Sequence, residues 1–520
     1  MSIIKNTFTV GAFTLLSRII GFIRECVMAF CLGAGLYSDA ILVAIRISNT
    51  FRRIFAEGAF NASFLPRFSG ILNKEGKDEA NIVLSNIFSI LLLILVPFSI
   101  IIIAIFPSFL QLLVSGFDTL SEKFKLTVTL GRICFPYIIF ISLASLFSGV
   151  LNTIGKFALP AVIYSMLSIF TTSGLLLGYF FDLSNHTTAH IVAYLVILSG
   201  IVQFCLLFVS ISRSGFRVSF RFHCWTCHVK GIIKNMIPGI IGAGVWQLNL
   251  FIDTSISSYL PTGTITCLNL ADRLNQLPLG TLGIALSTAL LPALSNTIAQ
   301  KEYGKAMLEL EEGLLLALFL TLFATSALLA LDELSVIVAF QRGMFGEEQV
   351  RITASAVAGF ALGLPAYVLT KVFSSLYFAA GDTKFPVIFG IFSVILNALF
   401  LIILVPFLKY FGLAMCTSLS AISNAVMLIY FSSRKMPITF STTFWYKLVA
   451  LCSASVITYC SLRQLITIFW SASFQSEIAK VLIYLSLLLG AAFVFFTTAV
   501  LILYFTKQPQ WKLWKKNAWT

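Results

Sequence analysis

The sequence predicts an all-α polytopic membrane protein, and three observations lead to that prediction. Of its 520 residues, 58% are hydrophobic and 11% are charged, whereas soluble domains carry roughly 25% charged residues. The mean hydropathy is +0.96. Unbroken apolar stretches such as Ile87 to Phe106 are long enough to cross a hydrocarbon core of about 30 Å as a helix, and they lack the alternation of a membrane-barrel strand.

Apolar stretches between polar breaks predict about fourteen membrane spans. Lys5 precedes the first span, and no small-residue cleavage site follows a short apolar core, so we expect this span to be retained rather than removed as a signal peptide. In chain order, the predicted spans are 7–31, 37–65, 84–115, 126–152, 157–181, 188–211, 231–259, 265–297, 306–331, 352–380, 385–408, 411–433, 444–470 and 478–506.

Lysine and arginine predict the orientation, because these residues resist translocation. If the N-terminus is cytoplasmic, the inner loops hold about eighteen of them and the outer loops about five. Both termini are therefore expected in the cytoplasm, and the formal charge of +14 favours membrane lipids with anionic headgroups as partners. Nucleic acid is a poor alternative, because the basic residues are spread over many short loops.

An internal duplication predicts the domain organisation. The stretch Ala62 to Ser69 ("ASFLPRFS") returns as Thr288 to Ser295 ("TALLPALS"), and Lys-Glu follows each copy, at Lys74 and Lys301. Two copies of six spans keep the same orientation and should be related by an axis along the membrane normal. The predicted divisions are a first lobe at 1–212, a basic linker at 213–230, a second lobe at 231–435, two extra helices at 436–506 and a basic aromatic tail at 507–520.

Charged residues inside the first, second and eighth spans predict a polar cavity. A charge at the bilayer centre costs about 2.5–3.5 kcal/mol, so these side chains should face water or each other. At about 100° per residue, Asp39, Arg46, Arg53 and Glu57 share one face of the second span, and Arg52 lies off that face. The full set has an arginine excess, which suits an anion, because guanidinium binds phosphate bidentately. It comprises Arg18, Arg24, Glu25, Asp39, Arg46, Arg52, Arg53, Glu57, Asp272 and Arg273. Pairing that merely holds helices together is the alternative.

Other polar residues suggest weaker hypotheses. Asp253 and Asp382 could couple transport to a monovalent cation or a proton, although a turn before a proline also explains Asp382. Ten cysteines are scattered along the chain and are expected to be structural. The string His223 to His228 ("HCWTCH") formally matches a haem-attachment or half-zinc motif, but we interpret it as a reduced cytoplasmic loop, and no metal or other cofactor is expected.

The sequence gives little support for an enzyme. It contains no G-x-x-x-x-G-K-[ST], H-E-x-x-H or G-x-S-x-G string and only four histidines. A transporter is the predicted class, and a membrane scaffold without transport activity is the alternative from another class.

Several strings resemble the bacterial lipid II flippase family MurJ, also called MviN, of the multidrug/oligosaccharidyl-lipid/polysaccharide exporter superfamily. They are Ser17 to Glu25, Leu32 to Ala40, Asn49 to Pro66 and Ala271 to Pro292. The resemblance implies alternating-access transport of an undecaprenyl-diphosphate-linked disaccharide peptide, lipid II, to the outer leaflet of the bacterial inner membrane. It also implies a groove for the polyprenyl tail at the two extra helices, and cell-wall synthesis enzymes as further candidate partners. Matching strings carry the family's functional positions to Arg18, Arg24, Asp39, Arg52, Glu57 and Arg273.

The chain also departs from that family. Ser48 stands where members commonly have proline, and Phe378 stands where some relatives place an amide ligand for a cation. Sodium coupling is therefore in doubt, whereas coupling to protons or to the membrane potential stays open. The alternative transport functions are a flippase for another polyprenyl-diphosphate glycan and a drug/cation antiporter, which should have an acidic or aromatic cleft.

Overall fold

The computed structural model describes residues 3–55, 59–221, 226–435, 440–469 and 477–505. These residues form long helices joined by short turns and a few extended segments. The chain divides into two compact units. The first contains Met1–Thr266 and Arg342–Gly346, and the second contains Cys267–Gln341 and Glu347–Thr520.

The first unit is built from eleven helices whose breaks follow glycine, proline and polar turns. Asp78 and Glu79 lie in the first turn of α4, where carboxylates interact favourably with the helix dipole, and the Ser121 and Ser184 side chains accept backbone N–H groups at the starts of α6 and α10. The helices are α1 (Ile3–Leu32), α2 (Leu36–Phe55), α3 (Ala59–Lys74), α4 (Lys77–Ala104), α5 (Phe106–Leu113), α6 (Glu122–Cys134), α7 (Tyr137–Thr153), α8 (Ala158–Ile163), α9 (Ser165–Phe180), α10 (Asn185–Arg213) and α11 (Cys227–Ser257).

The second unit contains the remaining helices, apart from the first turn of α12. Its longest helix, of 52 residues, leaves helical backbone geometry at Lys409, which is where the sequence predicts a break between two spans. The helices are α12 (Thr264–Ala299), α13 (Tyr303–Ala330), α14 (Asp332–Phe340), α15 (Glu347–Ala361), α16 (Leu364–Ala379), α17 (Lys384–Lys435), α18 (Thr442–Phe469) and α19 (Glu477–Phe505).

Among the described residues, 9 helical stretches are long and apolar enough to cross a membrane. The most apolar are Lys77–Ala104 and Lys384–Arg434. The helices α1, α2 and α12, which carry most of the predicted cavity charges, are not among these stretches. The 9 apolar stretches found among the described residues nevertheless confirm the coarse prediction of an all-α polytopic membrane protein.

The core of the first unit is aromatic and aliphatic. Phe64, Phe68, Phe106, Phe135 and Phe147 are fully buried. Phe106 and Phe135 meet edge to face with ring centroids 6.3 Å apart, a favourable aromatic arrangement. Phe51 of α2 also meets Phe135 edge to face, with ring centroids 5.8 Å apart, so this cluster packs α2 against the junction of α6 and α7.

The start of the predicted basic linker lies extended along α4. The backbone amides of Arg217, Ser219 and Arg221 donate to Asn81 Oδ1, Ser85 Oγ and Ser89 Oγ at 3.0, 3.1 and 2.8 Å. Successive acceptors are four residues apart along one face of the helix, and successive donors are two residues apart along the extended segment. These two spacings cover similar distances, so the three hydrogen bonds stay in register. These residues belong to the first unit, which continues through α11. The predicted lobes follow the sequence duplication rather than contacts, and their boundaries stay a prediction.

Candidate anion-binding site

Arg24 on α1 is paired with its neighbour Glu25. The Arg24 Nη2 donates to Glu25 Oε1; the Arg24 side chain is 13% exposed and that of Glu25 is 0% exposed. A carboxylate removed from water is costly unless a cation compensates it, and Arg24 supplies that charge. A guanidinium has five N–H donors, which is more than one carboxylate can accept, so Arg24 is suited to hold a second oxyanion as well.

Asp39, in the first turn of α2, is fully buried and acts as a cap for another helix. Its Oδ1 accepts from Thr266 N at 2.9 Å and Thr266 Oγ1 at 2.6 Å, and its Oδ2 accepts from Gly263 N at 2.7 Å. These donors lie at the start of α12, where backbone amides lack partners within the helix. Lys123 Nζ completes the set at 2.7 Å from Oδ2. This geometry favours a structural role for Asp39, and its predicted role in substrate binding stays a prediction.

The turns around Asp39 approach each other very closely. A Cβ at Gly263, which has φ +95°, would lie 2.5 Å from the carbonyl oxygen of Ala34, and one at Gly33, with φ +62°, would lie 2.6 Å from that of Met344. Met344 N also donates to Phe30 O at 3.0 Å. The loop Arg342–Gly346 and the start of α12 are thereby fastened to the α1–α2 turn within the first unit.

Three arginines on α2 meet three different surroundings. Arg46 is half-buried and donates from Nη1 to Thr254 Oγ1 on α11 at 2.8 Å. Arg52 is half-buried; its Nε donates to Asn49 Oδ1 at 3.2 Å and its guanidinium lies 5.6 Å from the ring centroid of Tyr164. Arg53 is exposed. Of the two neighbouring candidates Arg52 and Arg53, the geometry favours Arg52 as a held, partly desolvated cation.

The remaining predicted residues are distributed over both units. Arg18 on α1 is exposed, and Asp253 on α11 is half-buried; both lie in the first unit. Arg273 on α12 and Asp382 after α16 are half-buried in the second unit. Glu57 and residues 223–225 of the His223 to His228 string lie outside the described residues.

The structure gives Asp382 a local explanation. Its Oδ1 accepts the backbone N–H groups of Lys384 and Phe385 at 3.0 and 3.4 Å, and so it caps the start of α17. Within the described ranges, no group of three or more His, Cys, Asp or Glu side chains is arranged to hold a metal ion. Coupling through Asp253 or Asp382 stays a prediction.

The first unit contains two held cations, Arg24 on α1 and Arg52 on α2, whose chemistry suits phosphate. Arg24 and Arg52 are each oriented by a partner and partly withdrawn from water, which strengthens their interaction with an anion. Sequence reasoning missed Lys123, Thr254, Gly263 and Thr266 as partners, because each lies far along the chain from the residue it contacts.

Comparison with known proteins places the chain among transport proteins. Residues 28–490 match the family model described as "Lipid II flippase MurJ". The chain is 36% identical over 429 residues to a probable lipid II flippase MurJ of Rhizobium tropici, with 82% of this chain and 80% of that protein covered. It is 31% identical over 473 residues to the lipid II flippase MurJ of Burkholderia cenocepacia, with 89% and 91% covered.

Solved structures give the same picture of the fold. A structure titled "Lipid II flippase MurJ, inward closed conformation" is similar with a TM-score of 0.77 and 25% identity, covering 94% of this chain and 99% of that one. An inward-facing MATE family multidrug transporter of the MOP superfamily is similar with a TM-score of 0.69 and 13% identity, covering 82% and 97%. The second likeness concerns the fold alone.

Proposed function

This chain belongs to the lipid II flippase MurJ family, and from that premise we propose how it works as a flippase for lipid II. Arg24 and Arg52 bind the diphosphate of the undecaprenyl-linked disaccharide peptide, and Arg18 of the same unit contributes further positive charge. The role of Arg273 stays a prediction from the family resemblance. Alternating access then delivers the head group from the inner to the outer leaflet. The relatives are named as flippases, which accords with a transporter rather than an enzyme.

One observation carries this mechanism: two arginines of the first unit are half-buried and already oriented. Arg24 is fixed by Glu25, and Arg52 by Asn49 and the ring of Tyr164. Side chains ordered before binding lose less conformational entropy when the ligand arrives. A diphosphate spread over two such guanidinium groups receives bidentate hydrogen bonds that a neutral or cationic solute cannot use.

We propose the finer architecture on the basis of the duplication. It comprises fourteen spans in two six-helix bundles and, outside the duplication, the helices α18 and α19, which flank the polyprenyl tail. Their outward faces are apolar: Trp445, Val449 and Val456 on α18 are more than half exposed, as are Leu489 and Phe493 on α19. We place both termini in the cytoplasm and the chain in the bacterial cytoplasmic membrane.

The energy source is part of the same proposal. An elementary charge moved across the membrane potential is worth about 2.3 kcal/mol per 100 mV, so an empty, cationic site is drawn back toward the inside after the diphosphate leaves. The capping role of Asp382 and the aromatic side chain at Phe378 give little support for a cation site there. Membrane potential or protons are the proposed drivers.

A flippase for another polyprenyl-diphosphate glycan uses the same diphosphate chemistry and is the second candidate. The drug/cation antiporter alternative is less well supported, because cationic side chains held at Arg24 and Arg52 repel a cationic drug.

Complementation tests the proposal. A strain depleted of its own lipid II flippase should grow and show lipid II in the outer leaflet when it expresses this chain. Arg52→Ala should lower outer-leaflet lipid II by about tenfold, since a charge-assisted hydrogen bond is worth about 1.5–3 kcal/mol. The matched control is Arg213→Ala, at the exposed end of α10. Equal outer-leaflet lipid II with Arg52→Ala and Arg213→Ala, at equal protein levels, would contradict the proposed role of Arg52.

A further inference from the structure

Glu311 on α13 is a carboxylate that the proposed mechanism does not use. It lies within the candidate span Tyr303–Ala330 and is 8% exposed. Its neighbour Glu312 is exposed. Burying a carboxylate in an apolar helix costs free energy unless hydrogen-bond donors compensate for the lost water. The donors that contact Glu311 therefore indicate its role.

Both carboxylate oxygens of Glu311 bind one residue, Ser441. Oε1 accepts from the backbone N of Ser441 at 2.5 Å, and Oε2 accepts from its Oγ at 2.8 Å. Ser441 precedes α18, and its Oγ in turn accepts from Phe444 N at 3.1 Å. Glu311 therefore holds the residue that caps α18, at the helix end where amides and the helix dipole favour an anion.

Two other polar ties of α18 are weaker or more exposed. Ser455 Oγ donates to Leu322 O at 3.2 Å, and Arg463 Nη2 lies 3.4 Å from Asp332 Oδ1. The Arg463 side chain is 45% exposed, and exposed ion pairs contribute little. Glu311 is buried and its contact with the exposed Ser441 consists of two hydrogen bonds, so it fixes the start of α18 against α13 more strongly than either of these single ties fixes the rest.

The start of α18 is also where its packing begins. Phe444 is buried and belongs to the same apolar cluster as Leu310 and Leu314 of α13. Further along, Leu451 and Ala454 of α18 pack with Leu318 of α13 and Phe495 of α19. The orientation of α18 on α13 therefore sets the position of α19 and of the apolar faces that both helices present outward.

We propose that Glu311 is a positioning residue for the lipid chain: by capping α18 through Ser441, it holds α18 and α19 in the orientation that accepts a long polyprenyl tail. This inference rests on the proposed function, because it assigns the tail to these two helices. It predicts that loss of the Glu311 contact impairs long-chain substrates more than short-chain ones.

Amide hydrogen exchange tests the contact itself in the purified full chain. In Glu311→Gln one oxygen acceptor is lost, and exchange at the Ser441 and Phe444 amides should rise by about tenfold or more. Glu312→Gln, the matched control, should leave exchange unchanged. Equal protection of these amides in both variants would overturn the proposal.

Transport in proteoliposomes tests the consequence, with undecaprenyl and farnesyl diphosphate-linked versions of the same disaccharide peptide as probes. For Glu311→Gln we expect the ratio of long-chain to short-chain transport to fall by about tenfold, while Glu312→Gln keeps the wild-type ratio. An equal loss of both substrates would mean general damage to the fold and would overturn the positioning role. If wild type moves neither substrate while the exchange difference persists, the proposed function fails and the Glu311 contact stands.

Discussion

Replacing Asp39 with alanine is expected to destabilise the protein by about 3–5 kcal/mol, because a buried charge pair loses one partner. The Lys123 amine and the backbone amides of Gly263 and Thr266 would lose their acceptor. The unfolding temperature in detergent should fall clearly. Asp78→Ala, at an exposed position in the first turn of α4, should lower stability by no more than about 1 kcal/mol, which is the contribution of an exposed carboxylate to the helix dipole.

A double-mutant cycle separates this structural role from substrate binding. If Asp39 mainly compensates Lys123 and caps α12, Lys123→Ala should cost much less in the Asp39→Ala background than in wild type, because the two residues share one interaction. Asp39→Ala protein with a wild-type unfolding temperature and lost transport would contradict the structural role and restore the predicted role in substrate binding.

Replacing Arg24 with alanine is expected to have the largest effect on transport, a loss of about a hundredfold or more. The change removes charge-assisted hydrogen bonds to the diphosphate, each worth about 1.5–3 kcal/mol, and leaves the fully buried Glu25 without its Arg24 partner. Outer-leaflet lipid II in the depleted strain provides the measurement. Arg24→Lys, which keeps the charge but not the planar fork, should give an intermediate value.

The double variant Arg24→Ala with Glu25→Gln distinguishes the two roles of Arg24. Glutamine removes the buried negative charge, so the unfolding temperature should recover relative to Arg24→Ala alone. Transport should not recover, because the guanidinium for the diphosphate is still missing. Recovery of transport in the double variant would show that Arg24 serves only to neutralise Glu25.

Helices are predicted well from this sequence because a helix that crosses lipid needs about 20 mostly apolar residues in a row. Apolar length locates the helices, and the break at Lys409 falls where the pattern separates two predicted spans. Charged residues within an apolar span also pointed to Arg24, which the structure holds half-buried, whereas helical periodicity favoured the exposed Arg53 and only the family resemblance favoured the half-buried Arg52. These properties are local, and a window of about 20 residues contains them.

The partners of those charges could not be predicted in the same way. Helical periodicity places Asp39 and Arg53 on one face of α2. In the structure, Asp39 is buried against the start of α12, whereas Arg53 is exposed. The difference comes from contacts such as Asp39 with Gly263, which are 224 residues apart. A single sequence fixes which residues share a face of a helix, but not which neighbouring element covers that face.

The central claim, that oriented arginines recognise a diphosphate, is tested most directly by lipid binding to the purified protein. Native mass spectrometry or fluorescence titration would compare undecaprenyl diphosphate, undecaprenyl monophosphate and undecaprenol, which share one tail and differ in charge. We predict tightest binding of the diphosphate, weakest binding of the alcohol, and loss of this order in the Arg24→Ala and Arg52→Ala variants. Equal affinity of the wild type for all three lipids, or an unchanged order in both variants, would contradict the account.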